Sequence, residues 1–381
     1  MESLPLKSLR IAQFRGIQEL KLEDFGRINL LVGPNNSGKT SVLDALSLFC
    51  RPLDINNWRE TAWRREVKSA RTPLTEPFKW LFPQFAQSNL PRPQSICLHG
   101  QGQFAGRQVL AEYAEFKEFG QEPMMLKEAP SDEDFPKDPE MGLTIEVMAD
   151  FARQLSGQFD EAHLAQHRVQ FKVVDNRRNA YPTKVEEPAV DLALISPHTH
   201  RTTQDTSWYF SEAIKRERVD QNLRQAFVEV MQRIDPGVLD LDLVETGQTT
   251  FTIMVKHRLT GRTPIAAFGD GLRRALLIAA TIPAVPNGVL LIDELESALH
   301  VSVLDSVLQL LKWAAEQYNV QIFATTHSLE AVDAVCRNFS DSLESLVAFR
   351  LKPMEAATSV KRLTGEFIDR IRFERGLDIR D

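Results

Sequence analysis

The stretch "LVGPNNSGKTSVLDAL", Leu31–Leu46, decides how the rest of the chain is read. Gly33 to Thr40, with Ser41 behind it, completes the pattern G-x-x-x-x-G-K-[ST]. The apolar run "RINLLVG" leads into it as a buried parallel strand does, and Val42, Leu43, Leu46 and Phe49 follow at helical spacing on one face. Gly33 and Gly38 let the backbone wrap close to phosphate without a Cβ in the way. Successive N–H groups at a helix N-terminus form a positive concavity. Gly33, Pro34, Asn35, Asn36, Ser37, Gly38, Lys39, Thr40 and Ser41 are therefore the expected triphosphate-binding residues. In this reading Lys39 reaches the β- and γ-phosphates and Thr40 places its hydroxyl on Mg²⁺. A plain strand–turn–helix would show the same glycines; the complete pattern between an apolar strand and an amphipathic helix favours the phosphate loop.

A second apolar strand, in "GVLLIDELESALH", ends in Asp293 and Glu294. A strand emerging into solvent would do the same, but beside a phosphate loop the two carboxylates have chemistry to perform. Asp293 is expected to hold Mg²⁺, directly or through water, and Glu294 to orient and deprotonate the attacking water. A third strand, "IFATTHS", ends at His327, placed to sense the γ-phosphate. Glu294, Lys39 and His327 are the expected catalytic residues, and Thr40 and Asp293 the metal ligands.

The chain as a whole permits this. Its 381 residues are 43% hydrophobic and 25% charged, enough for a substantial core. The net charge of −7 restricts any nucleic-acid contact to a local patch. Cys50, Cys97 and Cys336 form no CxxC pair, which argues against a disulfide framework or zinc ribbon and for a reducing cytoplasm. No basic segment followed by an apolar run opens the chain, and no apolar stretch approaches the ~18 residues that span a bilayer, so no membrane is expected. The longest candidate, Ala275–Val285, contains Pro283.

Along the chain, "LRIAQF" and "ELKLEDF" read as strands before the phosphate loop. Further strands are expected at 95–98, 109–116 and 143–148 and in "HRVQFKVV" and "VDLALISP". The acidic "KEAPSDEDFPKDPEMG" reads as an exposed loop. Thr206 to Ile234 reads as one long amphipathic helix, and "VLDLDLVE" with "TTFTIMVKH" as a hairpin. The last third alternates helix and strand, which implies a parallel sheet. The expected class is α/β: a P-loop NTPase with a mixed sheet, an antiparallel β subdomain and a helical insert. The expected division is residues 1–50, an insert over 51–235, and 236–381.

These three motifs in this order resemble the ATP-binding-cassette (ABC) type of ATPase. The opening "LKSLRIAQFRGIQELKLEDFGRINLLVGPNNSGKTSVLDAL" and the ending "FIDRIRFERGLDIR" look like its chromosome-maintenance (SMC), RecF-like and OLD branch, in a short AAA_21-type form without a nuclease domain. The resemblance covers roughly residues 5 to 50 and 265 to 381, and it implies two ATP molecules clamped between two subunits. "AFGDGLRRALLIAA" then occupies the signature position, and Gly269, Asp270 and Gly271 would face the partner's phosphate. It departs from Leu-Ser-Gly-Gly at the serine. Arg273 and Arg274 read equally as added positive charge or as a solvated helix face. Ser297–His300 would lie at the subunit interface, and Gln101 or Gln103 would supply the metal-linked glutamine.

Other features stay open. His163 and His167 have the spacing of a helical zinc pair without the glutamate of a metalloprotease, and His198 and His200 share one side of an extended segment. "NNWRETAWRREVKSAR" combines Trp58 and Trp63 with Arg59, Arg64, Arg65, Lys68 and Arg71; it reads as a DNA-contacting patch, a lid near ATP or a partner surface. The expected function is an ATPase that forms a homodimer, or a higher homo-oligomer, around ATP and Mg²⁺. It would control a separate effector protein in bacterial anti-phage defence, the last step resting on resemblance. The alternatives are a RecF-like DNA-repair clamp and a nucleotide-binding assembly protein that does not hydrolyse.

Overall fold

Alternating burial, interrupted near the start of each strand, writes the first hairpin. Leu6–Phe14 (β1) buries Leu6, Leu9 and Ile11, and it pairs antiparallel with Ile17–Leu22 (β2). Ile28–Val32 (β3) is buried throughout, because both of its faces are covered. The structure, a computed structural model, describes residues 4–64, 73–84, 95–103, 106–118, 140–155, 158–175, 189–217, 223–245, 251–354 and 358–380.

Lys39–Cys50 (α1) follows the phosphate loop and differs from the amphipathic helix expected: every residue from Ser41 to Cys50 is buried. It lies between two sheets, so it has no solvent side. Asp44, fully buried on this helix, is ion-paired with Arg15 at 3.2 Å and with Arg64. That satisfies a carboxylate which would otherwise be costly to enclose. Ile55–Trp63 (α2) packs beside it, and Glu76–Lys79 (α3) packs on α2.

Ser95–Gly102 (β4), Arg107–Glu118 (β5), Glu140–Leu155 (β6) and Gln158–Val174 (β7) extend the first hairpin into an antiparallel sheet of order β2-β1-β4-β5-β6-β7. Strand pairing therefore runs across the division drawn at residue 50. His163 and His167 lie on β7, so they are not on a helix and the zinc-pair geometry does not arise. The acidic loop lies almost wholly outside the described residues.

Leu192–Ile195 (β8) joins the second sheet. The expected long helix is two helices, Thr203–Glu217 (α4) and Leu223–Ile234 (α5). Phe210 and Phe227 would stand about 25 Å apart on one continuous helix at 1.5 Å per residue. Their rings are 5.8 Å apart, so the chain doubles back.

Val238–Glu245 (β9), Phe251–His257 (β10) and Gly261–Pro264 (β11) form a small antiparallel sheet. Then come Asp270–Thr281 (α6), Val289–Ile292 (β12), Val301–Gln317 (α7), Gln321–Thr325 (β13), Leu329–Asn338 (α8), Leu346–Pro353 (β14), Thr358–Thr364 (β15) and Gly365–Asp369 (α9). The central sheet has the order β15-β14-β3-β13-β12-β8, parallel except for β15.

Its strands sort their side chains into two cores. Leu30, Leu290, Ile292, Ile322 and Ala348 face the helical layer of α5 to α8. Leu31, Leu291, Phe323, Val347 and Phe349 face α1 and the antiparallel sheet. The parallel order delivers the C-terminal ends of β3, β12 and β13 to one edge, where a doubly covered sheet binds ligands. Among the described residues no helix is long and apolar enough to cross a membrane.

Candidate nucleotide-binding site

At the end of β3 the chain turns sharply. Gly33 has φ +139°, and a Cβ there would lie 2.2 Å from the carbonyl oxygen of Leu351 on β14. The neighbouring strand, and not only phosphate, demands this glycine. Asn36 takes a left-handed φ of +62°, which asparagine tolerates, and Gly38 takes +92° as the N-cap of α1. Gly33→Ala is expected to cost on the order of 3 kcal/mol through backbone strain and that close contact. Urea unfolding measures it; an unchanged midpoint would refute the assignment.

The loop has unused donors. Ser37 Oγ is buried and has no hydrogen-bond partner. Gly38 offers no side-chain cap, so the first N–H groups of α1 face the cleft. Lys39 is folded back, its Nζ donating to the carbonyls of Gly33 at 2.7 Å and Pro34 at 2.9 Å. Burial pulls its pKa below the usual lysine value, against the opposing pull of Asp293, Glu296 and Glu294.

Opposite stands the end of β12. Asp293 Oδ1 accepts the hydroxyls of Thr40 at 3.1 Å and Thr325 at 2.7 Å. The Thr325 hydroxyl in turn accepts the Glu294 N–H at 2.8 Å, so the end of β13 fixes the end of β12. Glu294 itself sits at φ +52°, a strained conformation held by this bond. His327 follows β13; its N–H donates to Glu296 Oε1 at 3.0 Å and its Nδ1 lies 3.2 Å from the same oxygen. The guanidinium of Arg380 donates to the His327 carbonyl. Residues 35–41, Asp293, Glu294, Thr325, Thr326 and His327 line one cleft of about 380 Å³. A larger cleft, about 730 Å³, lies outside β8, but the phosphate-loop chemistry converges on the smaller one.

Two residues were not foreseen in their roles. Glu296 holds His327; its signal was a third carboxylate in "DELES". Arg274 is fully buried, neither a solvated face nor free charge. Its guanidinium donates to the carbonyls of Asp293 and Glu294, both at 3.0 Å, and of Ser196. Burial lowers its pKa to about 10. Arg274→Met would leave these acceptors bare, and about 3 kcal/mol of stability is the expected loss. Chemical denaturation checks this, with Arg274→Lys expected to recover part of it.

The signature-position residues lie elsewhere. Gly269 caps α6 without a side-chain bond, and Asp270 is 3.3 Å from Arg273 and 3.5 Å from His200. Gly271 packs on Ala298, where a Cβ would meet the carbonyl oxygen at 3.1 Å. None of the three lines the cleft, nor do Gln101 and Gln103. The loop beside Asp293 is instead the one after β8, whose Ile195 carbonyl accepts the Asp293 N–H at 2.8 Å. Within it His200 is buried and His198 exposed, so the two do not share a side. Trp58 is also buried, donating to the Pro52 carbonyl at 2.7 Å, and Arg64 is engaged by Asp44. Neither is available to a nucleic acid as drawn; Arg65, Lys68 and Arg71 lie outside the described residues.

The donor set fits a triphosphate with a hard divalent cation. Thr40 and Asp293 offer adjacent oxygens, and the loop offers an orphan hydroxyl, open N–H groups and a lysine. Fold and site together define a P-loop ATPase of the ABC, RecF/SMC-like type. The chain belongs to the family described as "AAA domain, putative AbiEii toxin, Type IV TA system", which matches residues 125–333. An "AAA ATPase domain" family matches residues 5–124.

Among curated proteins, the chain is 34% identical over 113 residues to the uncharacterized protein MJECL11 of Methanocaldococcus jannaschii, covering 29% of this chain and 98% of that one. It is 44% identical over 46 residues to the DNA replication and repair protein RecF of Clostridioides difficile, which is 12% of either chain. The SMC head domain from Thermotoga maritima is 13% identical, with a TM-score of 0.42 over 94% of this chain and 99% of that one.

Proposed function

We propose that the chain binds and hydrolyses Mg-ATP in this cleft, closes with a second copy around the nucleotide, and thereby controls a separate effector protein in the cytoplasm, in anti-phage defence. The observation that carries the reading is the meeting of Thr40 and Asp293 at 3.1 Å, opposite a lysine and an orphan loop hydroxyl.

In this mechanism Lys39 exchanges its two loop carbonyls for phosphate oxygens, and the N–H groups of 35–41 take the rest. Thr40 and Asp293 would hold Mg²⁺, which would supply neutralisation of phosphate charge. Glu294 accepts the proton of the attacking water. Glu296 fixes His327 through its N–H and Nδ1, leaving Nε2 for the γ-phosphate. Arg274 holds the backbone of both acidic residues in place. Gly269–Gly271 stand outside the cleft at an uncapped helix N-terminus, which supports a role toward the nucleotide of a partner copy.

The defence role draws on kinship with a family described as a putative AbiEii toxin of a Type IV TA system, and the effector role on the resemblance to short ATPases of this type. The local RecF match supports a second reading, a DNA clamp. Phosphate release by the purified chain, with and without Mg²⁺, tests the first; no Mg²⁺-dependent turnover would overturn it. ATP-dependent DNA binding that weakens as salt rises would favour the clamp.

A further inference from the structure

Among the described residues the parallel sheet ends at β8. The Val289 N–H donates to the Asp191 carbonyl at 2.7 Å, and the Asp293 N–H to the Ile195 carbonyl at 2.8 Å. In a parallel ladder, alternate residues turn both main-chain groups to the same neighbour. Residues 191, 193 and 195 therefore face β12, and Leu192 and Leu194 turn their N–H and C=O groups outward. Among the described residues no strand pairs with that side. An unpaired edge is a template for another strand.

This edge forms one wall of the cleft of about 730 Å³, between α2 and α4. The other walls are acidic. Asp54, Glu60 and Asp205 line the cleft, and among the described residues none of them makes an ion pair. The two lining arginines are already engaged, Arg51 with Asp191 at 3.6 Å and Arg64 with Asp44. Trp208, 54% exposed, stands at the rim, an aromatic anchor of the kind that concentrates binding energy.

We infer that β8 accepts an extended, lysine- or arginine-bearing segment of a partner protein as an additional strand. Main-chain bonds to Leu192 and Leu194 set its register, and Asp54, Glu60 and Asp205 select its charge. The acidic walls disfavour a nucleic acid at the same place. The occupant would sit one residue from Ser196, whose carbonyl is held by Arg274 beside Asp293. The inference does not rest on nucleotide turnover and is tested without ATP.

The probe is a fluorescent decapeptide of alternating lysine and valine, followed by anisotropy on the full chain. Its glutamate–valine counterpart and an N-methylated version are each expected to bind at least about tenfold more weakly. Leu194→Pro removes an outward donor, which an edge strand tolerates, along with the packing of a partly buried leucine on the core beneath; in variant protein that still unfolds cooperatively, binding is expected to weaken about tenfold. Glu60→Lys with Asp205→Lys, both exposed positions, should do the same, with melting lowered by no more than a few degrees through the lost Thr202–Asp205 bond at the start of α4. Absence of binding, equal binding of the N-methylated or acidic peptide, or indifference to both sets of substitutions would overturn the proposal. So would self-association lost in Leu194→Pro, which would make a second copy the occupant.

Discussion

Lys39→Met is expected to lower ATP affinity on the order of 100-fold, the worth of charge-assisted bonds from one ammonium to phosphate oxygens. In the free protein this ammonium satisfies only two carbonyls of its own loop, Gly33 and Pro34, and its burial opposes its charge. Methionine fills the same space without that conflict, so stability should change by no more than about 1 kcal/mol. Calorimetric titration with Mg-ATP, paired with urea unfolding, separates the two effects. Undiminished affinity in a folded variant would remove the phosphate loop from the mechanism.

Glu294→Gln should act on the other half of the reaction. Turnover is expected to fall by about 10²–10⁴, the usual contribution of a positioned general base, while ATP affinity stays within a few-fold. The N–H of residue 294 and its bond to Thr325 remain, so the acidic turn keeps its shape. With hydrolysis blocked, the nucleotide-bridged dimer should persist, visible as an ATP-dependent shift in size-exclusion elution. Full turnover in this variant would move the base elsewhere, and Glu296 would be the next candidate. A monomer at every ATP concentration would break the link between nucleotide and assembly.

The sequence was most legible where one local rule had one outcome. The loop pattern, the apolar runs ending at Asp293 and His327, and the strand–helix rhythm of the last third each map onto an element with nearly the same ends. Legibility failed where a neighbour distant in sequence decided. Helical spacing in α1 could not show that a second sheet covers its other side. A continuous apolar period from 206 to 234 could not show that Phe210 packs beside Phe227. Arg274 looked like any helix-surface arginine, because its three acceptors come from backbone at 196, 293 and 294. The reason for Gly33 was likewise half hidden: its closest obstacle belongs to residue 351. Side-chain chemistry is written locally, whereas main-chain acceptors become visible only when strands are placed.

The place of β3 has a consequence for how the molecule is made. Both of its sheet neighbours, β13 and β14, lie beyond residue 320, with Leu30 opposite Ala324 and Ala348. During synthesis the strand that carries the phosphate loop leaves the ribosome with neither flank available, and some 290 residues must follow before its ladder can close. Closing so long a loop is slow, and an apolar strand waiting that long invites pairing with other nascent chains. Release from the ribosome before β14 should therefore yield aggregates rather than a smaller folded unit, and biogenesis is expected to depend on chaperone shelter for the N-terminal hairpin and its successor.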